Sequence, residues 1–279
     1  MSIIKRIILS LIDLVKKSVF LSNLNEYELN GFINSFTKFR FLPYTKLTVP
    51  FSLGRTIRGV SFNKNFKLDP YGRLCIDISN GIENKLIFNE LFKEFEKEKY
   101  LSAAHIVHLG NNANLKKYPA WAVVLPWEKI NIEYKFDTYP EIFYQNRNSK
   151  LLNFKSRSRQ SIINMMYSSE SLENKIKQMT ELYKSIKKNF IKKNINLPKI
   201  NILIKGEEWR WFMGDAGNHR SYIFSIIGHD FFEARIDSII NKDDLVNWHN
   251  VKNGTYSISD AENIFESYFN GRNIMRGIV

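Results

Sequence analysis

The chain has 279 residues, 44% of them hydrophobic and 14% aromatic, with a formal net charge of +13. That is enough for one large or two small domains around a real core. A single cysteine, Cys75, excludes an internal disulfide framework, fits a reducing compartment, and leaves the usual Cys/His spacings of metal sites absent.

Residues 3–21 place Ile4, Ile8, Leu11, Val15 and Val19 at helical spacing, interrupted by Lys5, Arg6, Asp13, Lys16 and Lys17. Those charges argue against a spanning helix, which needs about 20 mostly apolar residues, and no small-residue cleavage site follows. The segment reads as an amphipathic helix, packed on protein or lying basic-side-out on an anionic membrane surface. Asn23 to Phe36 reads as a second short helix, and residues 39–62 as short strands punctuated by Pro43, Pro50, Gly54 and Gly59. Asp69-Pro70-Tyr71-Gly72 reads as a turn before a strand Arg73–Ile78, closed by Ser79-Asn80-Gly81. Residues 84–100 read as a charged amphipathic helix facing Leu86, Ile87, Leu91, Phe92 and Phe95 inward.

His105 and His108, three apart, read either as one edge of a metal site or as an ordinary pair. Tyr118 to Glu128 reads as a strand-like run between prolines, with Trp121 and Trp127 either walling a ligand pocket or anchoring a core. Tyr139–Lys155 reads as a linker. Leu172–Ile191 carries an apolar helical stripe, and Pro198 hands over to a strand at Ile200–Ile204. Phe231–Ile236 reads as a strand, Lys242–Val251 as a short helix, and Ser259-Asp260-Ala261-Glu262 as the capping box of a last helix ending at Asn270-Gly271. The expected class is α+β, a small mixed sheet with helices. Its expected regions are an N-terminal helix at 1–22, a cap or substrate region at 23–150 and a nucleotide-binding region at 151–279.

The charge is localised. Residues 145–199 hold 13 Lys or Arg against 3 Glu. Such a segment attracts nucleic acid, an anionic membrane or phosphorylated molecules, or is simply a solvated helix face.

The segment richest in chemistry is Asp215-Ala216-Gly217-Asn218-His219-Arg220. It follows a hairpin of Ile200–Ile204 and Trp209–Met213 across Lys205-Gly206-Glu207-Glu208, and precedes a helical run Ser221–Ile227. Backbone N–H groups at a helix N-terminus favour an anion, and His219 and Arg220 add donors. A glycine turn pinned by an Asp215–Arg220 pair is the structural alternative.

The order of Leu182-Tyr183-Lys184-Ser185-Ile186, the strand, the hairpin, this turn, a helix and the strand Phe231–Ile236 resembles the N-terminal domain of ParB and its relatives, the ParB/sulfiredoxin fold. The resemblance covers roughly residues 170–245. Ala216 is an extra residue in the turn, and Asn218 stands where sulfiredoxins have a reactive cysteine. No DNA-reading helix-turn-helix follows. The resemblance implies ATP or another nucleoside triphosphate with its phosphates at Gly217, Asn218, His219 and Arg220, and Mg²⁺. Asp215 would hold the metal or pin Arg220, and His219 would bond a phosphate oxygen. The family includes free-serine kinases that take an acidic residue from outside the turn. Glu170, Glu173, Glu207, Glu208 and Glu128 are the carboxylates that could act as that base.

Three functions follow as expectations. One is a cytoplasmic phosphotransferase acting on a small polar substrate such as a sugar or amino acid. The second is a ParB-like DNA-binding clamp or nuclease, using residues 145–199. The third is a non-catalytic scaffold peripheral to the inner membrane face, using residues 3–21.

Overall fold

The computed structural model describes residues 46–62, 66–148, 158–188, 197–214 and 217–271. The expected helices at 3–21 and Asn23–Phe36 lie outside them, as do Asp215 and Ala216. The elements in chain order are β1 (Lys46–Pro50), β2 (Gly54–Arg55), α1 (Pro70–Ser79), α2 (Asn84–Glu98), α3 (Ala103–Ile106), α4 (Ala113–Lys116), α5 (Ile132–Asn148), α6 (Arg159–Met166) and α7 (Ser169–Lys188). Then follow β3 (Lys199–Lys205), β4 (Glu208–Met213), α8 (Asn218–Ile226), β5 (Phe231–Asn241), α9 (His249–Lys252) and α10 (Ile258–Phe269). The class is α+β.

The strands form one mixed five-stranded sheet in the order β1-β5-β3-β4-β2. β3 and β4 make the expected antiparallel hairpin, turning at Gly206 with φ +58°. After β4 the chain passes through α8 and returns as β5, parallel to β3. β1 pairs antiparallel with β5, and β2 parallel with β4, so both halves of the sequence supply strands.

Alternation along each strand splits the interior into two cores. Ile200, Ile202 and Ile204 of β3 join Trp209, Trp211 and Met213 of β4 in a first core. α1, α2, α7 and α8 cover it with Leu74, Ile78, Ile87, Leu91, Ile176 and Ile223. Leu203 and Phe212 point the other way into a second core, closed by Leu115, Ile132, Phe265 and Phe269. Burying side chains of this size stabilises by roughly 1.5–3 kcal/mol each.

Several expectations are corrected. Arg73–Ile78 is not a strand but lies within α1. Asp69 caps it, accepting from the Tyr71 and Gly72 N–H groups at 2.9 and 3.2 Å, and Pro70 occupies the first helical position. An Asp-Pro pair starts a helix as readily as a turn; the burial of Leu74, Cys75 and Ile78 follows the helical period. Tyr118–Glu128 is not a strand either: Ala120–Ala122 forms a 3₁₀ turn. Strand-like pairing is confined to an isolated bridge between Pro119 and Ser102, and side chains meet several of the later carbonyls. Lys135 donates to the Val123 carbonyl and Tyr256 to that of Val124, while Asn250 reaches those of Leu125, Glu128 and Ile130, each at 3.0 Å.

The expected linker is also helical over its first half, because α5 continues through Pro140 to Asn148. Proline lacks the N–H that would bond the carbonyl four residues back, at Phe136. Arg159 donates to that carbonyl and lays its guanidinium 4.1 Å over the Phe136 ring. The last helix starts slightly earlier than expected, with Ser257 as its cap accepting from Asp260 N–H at 3.1 Å. Leu86, expected inward on α2, is 55% exposed. Among the described residues no helix is long and apolar enough to cross a membrane.

Candidate functional site

β4 ends beside Pro198-Lys199, where Gly214 N–H donates to the Lys199 carbonyl at 2.8 Å. Gly217 caps α8 with φ +86°, the left-handed region that glycine tolerates. A β-carbon there would also stand 2.6 Å from Pro198 Cα, so both conformation and space demand glycine. The N–H groups of Arg220 and Ser221 turn back to the Gly217 carbonyl at 3.1 and 3.2 Å. Those of Asn218 and His219 meet no acceptor among the described residues. Two backbone donors of the first turn thus have no acceptor among the described residues, at the positive end of the helix dipole.

α7 packs against α1, α2 and α8 and brings Lys175 to this turn. Its Nζ lies 3.3 Å from His219 Nε2. Burial, and then the Lys175 charge, push the His219 pKa down to about 4. The ring is therefore neutral at ordinary pH. Since an ammonium can only donate, Nε2 accepts and the ring proton sits on Nδ1. Tyr71, in the first turn of α1, completes the group: its ring centroid is 5.9 Å from that of His219 and 6.0 Å from Lys175 Nζ. Arg220 is half-buried, which lowers its pKa.

A second polar group adjoins Tyr71. Asp69 is fully buried, and its Oδ2 accepts from the Tyr222 hydroxyl at 3.0 Å. Arg58 Nη2 meets Glu98 Oε2 at 3.2 Å, with side-chain exposures of 20% and 24%. Burial acts to lower the Arg58 pKa, but the Glu98 and Asp69 carboxylates outweigh it and the net shift is upward. Burial, the largest influence, pushes the Tyr71 phenol up to about 12; Arg58 opposes it, and Glu98 and Asp69 add to it. Tyr71 thus stays protonated. Perturbed ionisable groups gathered this closely mark functional sites more often than chance.

The structure thus brings Gly217, Asn218, His219 and Arg220 together, and leaves the expected acids elsewhere. Glu173 is exposed on α7 and, two residues from Lys175, roughly 200° around the helix from it. Glu170 is exposed in the first turn of α7. Glu207 and Glu208 lie at the far end of β4 from Gly217, with Glu208 paired to Arg210 at 3.1 Å. Five strand steps separate Glu208 from Met213, roughly 17 Å. Glu128 approaches Lys135 at 4.0 Å beside the second core, on the opposite sheet face. Asp215 lies outside the described residues. No group of three His, Cys, Asp or Glu side chains able to hold a metal occurs among those described. The described residues therefore assign no ligand set for Mg²⁺.

His105 closes a capping box, with its Nδ1 2.8 Å from Ser102 Oγ. Trp121 stacks on Phe136 and Tyr139, and Trp127 sits edge-on to Phe212, Trp248, Phe265 and Tyr268, so both are packing anchors. Cys75 is buried in α1, where burial drives its thiol pKa upward.

Sequence reasoning missed Lys175, Tyr71, Arg58 and Glu98. Lys175 had a signal: a cation beside Leu172, Ile176 and Met179, on the edge of the buried stripe. Arg58 and Glu98 had none, because only the tertiary fold joins residues 40 positions apart.

No protein-family model, curated protein or solved structure matches this chain.

Proposed function

We propose that the protein is a ParB-like nucleotide-binding protein that holds phosphates at the N-terminus of α8. Its activity in this reading is phosphotransfer to a small polar substrate. The observation that carries the reading is the Lys175–His219 contact beside the open Asn218 and His219 N–H groups. A phosphate there would receive two backbone donors, the helix dipole, the Lys175 ammonium and the Arg220 guanidinium. Because His219 is neutral above about pH 4, it accepts from Lys175 without adding a second positive charge. The proposed setting is the cytoplasm, and residues 3–21 would bring the protein to the inner membrane face.

Isothermal titration with ATP, ADP and CTP, with and without Mg²⁺, tests this. Micromolar binding is expected, lost in Arg220→Ala. Unchanged affinity in that variant would remove the phosphate from this turn. The competing DNA-clamp reading draws on α7, whose exposed Lys177, Lys184, Lys187 and Lys188 share the helix with exposed Glu170, Glu173 and Glu181. Salt-sensitive retention on DNA without nucleotide affinity would favour it instead.

A further inference from the structure

We infer that one end of the α2–α7 pair is a lipid-contacting surface. There Ile82 and Leu86 enter an anionic bilayer, and Lys85, Lys184, Lys187 and Lys188 meet its headgroups. This surface is independent of the phosphate reading and is a membrane contact apart from residues 3–21.

α2 and α7 run antiparallel. Thr180 Oγ1 donates to Asn84 Oδ1 at 3.2 Å, at the first residue of α2. Near the other end of α2, the Phe95 ring meets that of Tyr167, two residues before α7, with centroids 5.6 Å apart. From Thr180, α7 therefore continues past the start of α2 by eight residues, roughly 12 Å, to Lys188. The turn between α1 and α2 lies at the same end, where Ile82 N–H donates to the Asp77 carbonyl at 3.0 Å. Lys85, Lys184, Lys187 and Lys188 are all exposed here, and none forms an ion pair among the described residues. Two exposed acids, Glu83 and Glu181, stand against these four lysines, so the end is positive. Leu86, expected inward, is 55% exposed, and Ile82 is 38% exposed.

The mixture of groups selects the partner. A nucleic acid would leave Ile82 and Leu86 in water. Nor do these residues include an arginine to grip a phosphate in bidentate fashion, or an aromatic ring to stack a base. An anionic bilayer answers both kinds of group. Aliphatic side chains enter the boundary between headgroups and acyl chains, while lysines lay their stems on it and keep the ammonium at headgroup level. Negative lipid supplies the complementary charge.

The test is vesicle co-sedimentation of the full chain, with phosphatidylcholine vesicles that contain or lack phosphatidylserine. Binding should require phosphatidylserine. The combined Lys184→Gln, Lys187→Gln and Lys188→Gln variant should bind about a hundredfold more weakly, and Leu86→Gln about tenfold. All four positions are exposed, so these variants should keep their fold. A polarity-sensitive dye on Leu86→Cys reads this surface apart from residues 3–21; Cys75 is buried and stays unlabelled. Its emission should shift to the blue on the phosphatidylserine vesicles. The same dye on Tyr134→Cys, 56% exposed on α5, should not shift. Absence of co-sedimentation overturns the inference, as does a dye at position 86 that stays in water while the protein sediments. Loss of binding in the lysine variant with none in Leu86→Gln, together with competition by duplex DNA, overturns it in favour of a nucleic-acid surface.

Discussion

Lys175 Nζ and His219 Nε2 stand 3.3 Å apart, joining the middle of α7 to the first turn of α8. Burial, and then the lysine's charge, keep the ring from taking a proton. In exchange the ring nitrogen accepts a hydrogen bond from the ammonium.

That relationship has a pH signature. The folded His219 pKa, about 4, lies below its ordinary value of 6.5. As pH falls from 6.5 towards 4 the unfolded chain takes up a proton that the folded chain refuses, so stability is lost across that window. The contribution is fully present above it. The upper bound is about 3 kcal/mol, at 1.36 kcal/mol per unit. His219→Gln should lose less stability than wild type between pH 7 and pH 4.5 in urea titrations. Parallel losses would show that the ring is not held neutral.

Gly217 is expected to resist substitution more than other turn glycines. Gly217→Ala meets a φ of +86° and a contact of 2.6 Å to Pro198 Cα, and should cost about 2–4 kcal/mol. Gly254→Ala, with φ +78° and open space, should cost only about 1 kcal/mol. Thermal unfolding of the two variants separates strain from crowding, and equal losses would refute the Pro198 contact.

Asn250 should be among the most sensitive buried polar residues. Its side chain binds three loop carbonyls, and its Oδ1 accepts from Asn253 at 3.0 Å. Asn250→Asp cannot donate and sets a charge against those carbonyls, so a loss of about 3 kcal/mol or more is expected. Denaturant midpoints indistinguishable from wild type would show that the loop is held otherwise.

Arg159 should matter to α5 because of Pro140. Arg159→Met keeps much of the apolar packing on Phe136 and removes the donor to its carbonyl. A cost of about 1–2 kcal/mol is expected. In Pro140→Ala the helix regains its own N–H, so Arg159→Met should cost less on that background. Equal costs on both backgrounds would separate the arginine from the proline.

The hairpin and α8 were legible because their signals are local. Alternating apolar residues flank Gly206, and a second glycine starts an apolar helical run. The Asp69-Pro70 start of α1 was misread because the same dipeptide serves turns and helix caps. The run from Tyr118 to Glu128 reads as a strand because Ala120 to Leu125 is a short continuous apolar run held between prolines. Its hydrogen-bond partners are Lys135, Asn250 and Tyr256, which no local pattern announces. The candidate site divides similarly: the Gly217–Arg220 turn is contiguous in sequence, while Arg58, Tyr71, Glu98 and Lys175 come from four separate segments. Of the expected carboxylates, the fold sets Glu173 around its helix from Lys175 and Glu208 at the far end of its strand.

The most direct measurement is the amide NMR spectrum of the isotopically labelled protein during addition of tripolyphosphate. The Gly217, Asn218 and His219 resonances should shift saturably in wild type, and the shifts should weaken at least tenfold in affinity in Lys175→Met, a loss of more than about 1.4 kcal/mol. Unmoved amides at these three residues, or shifts indifferent to Lys175, would contradict a phosphate site at the N-terminus of α8.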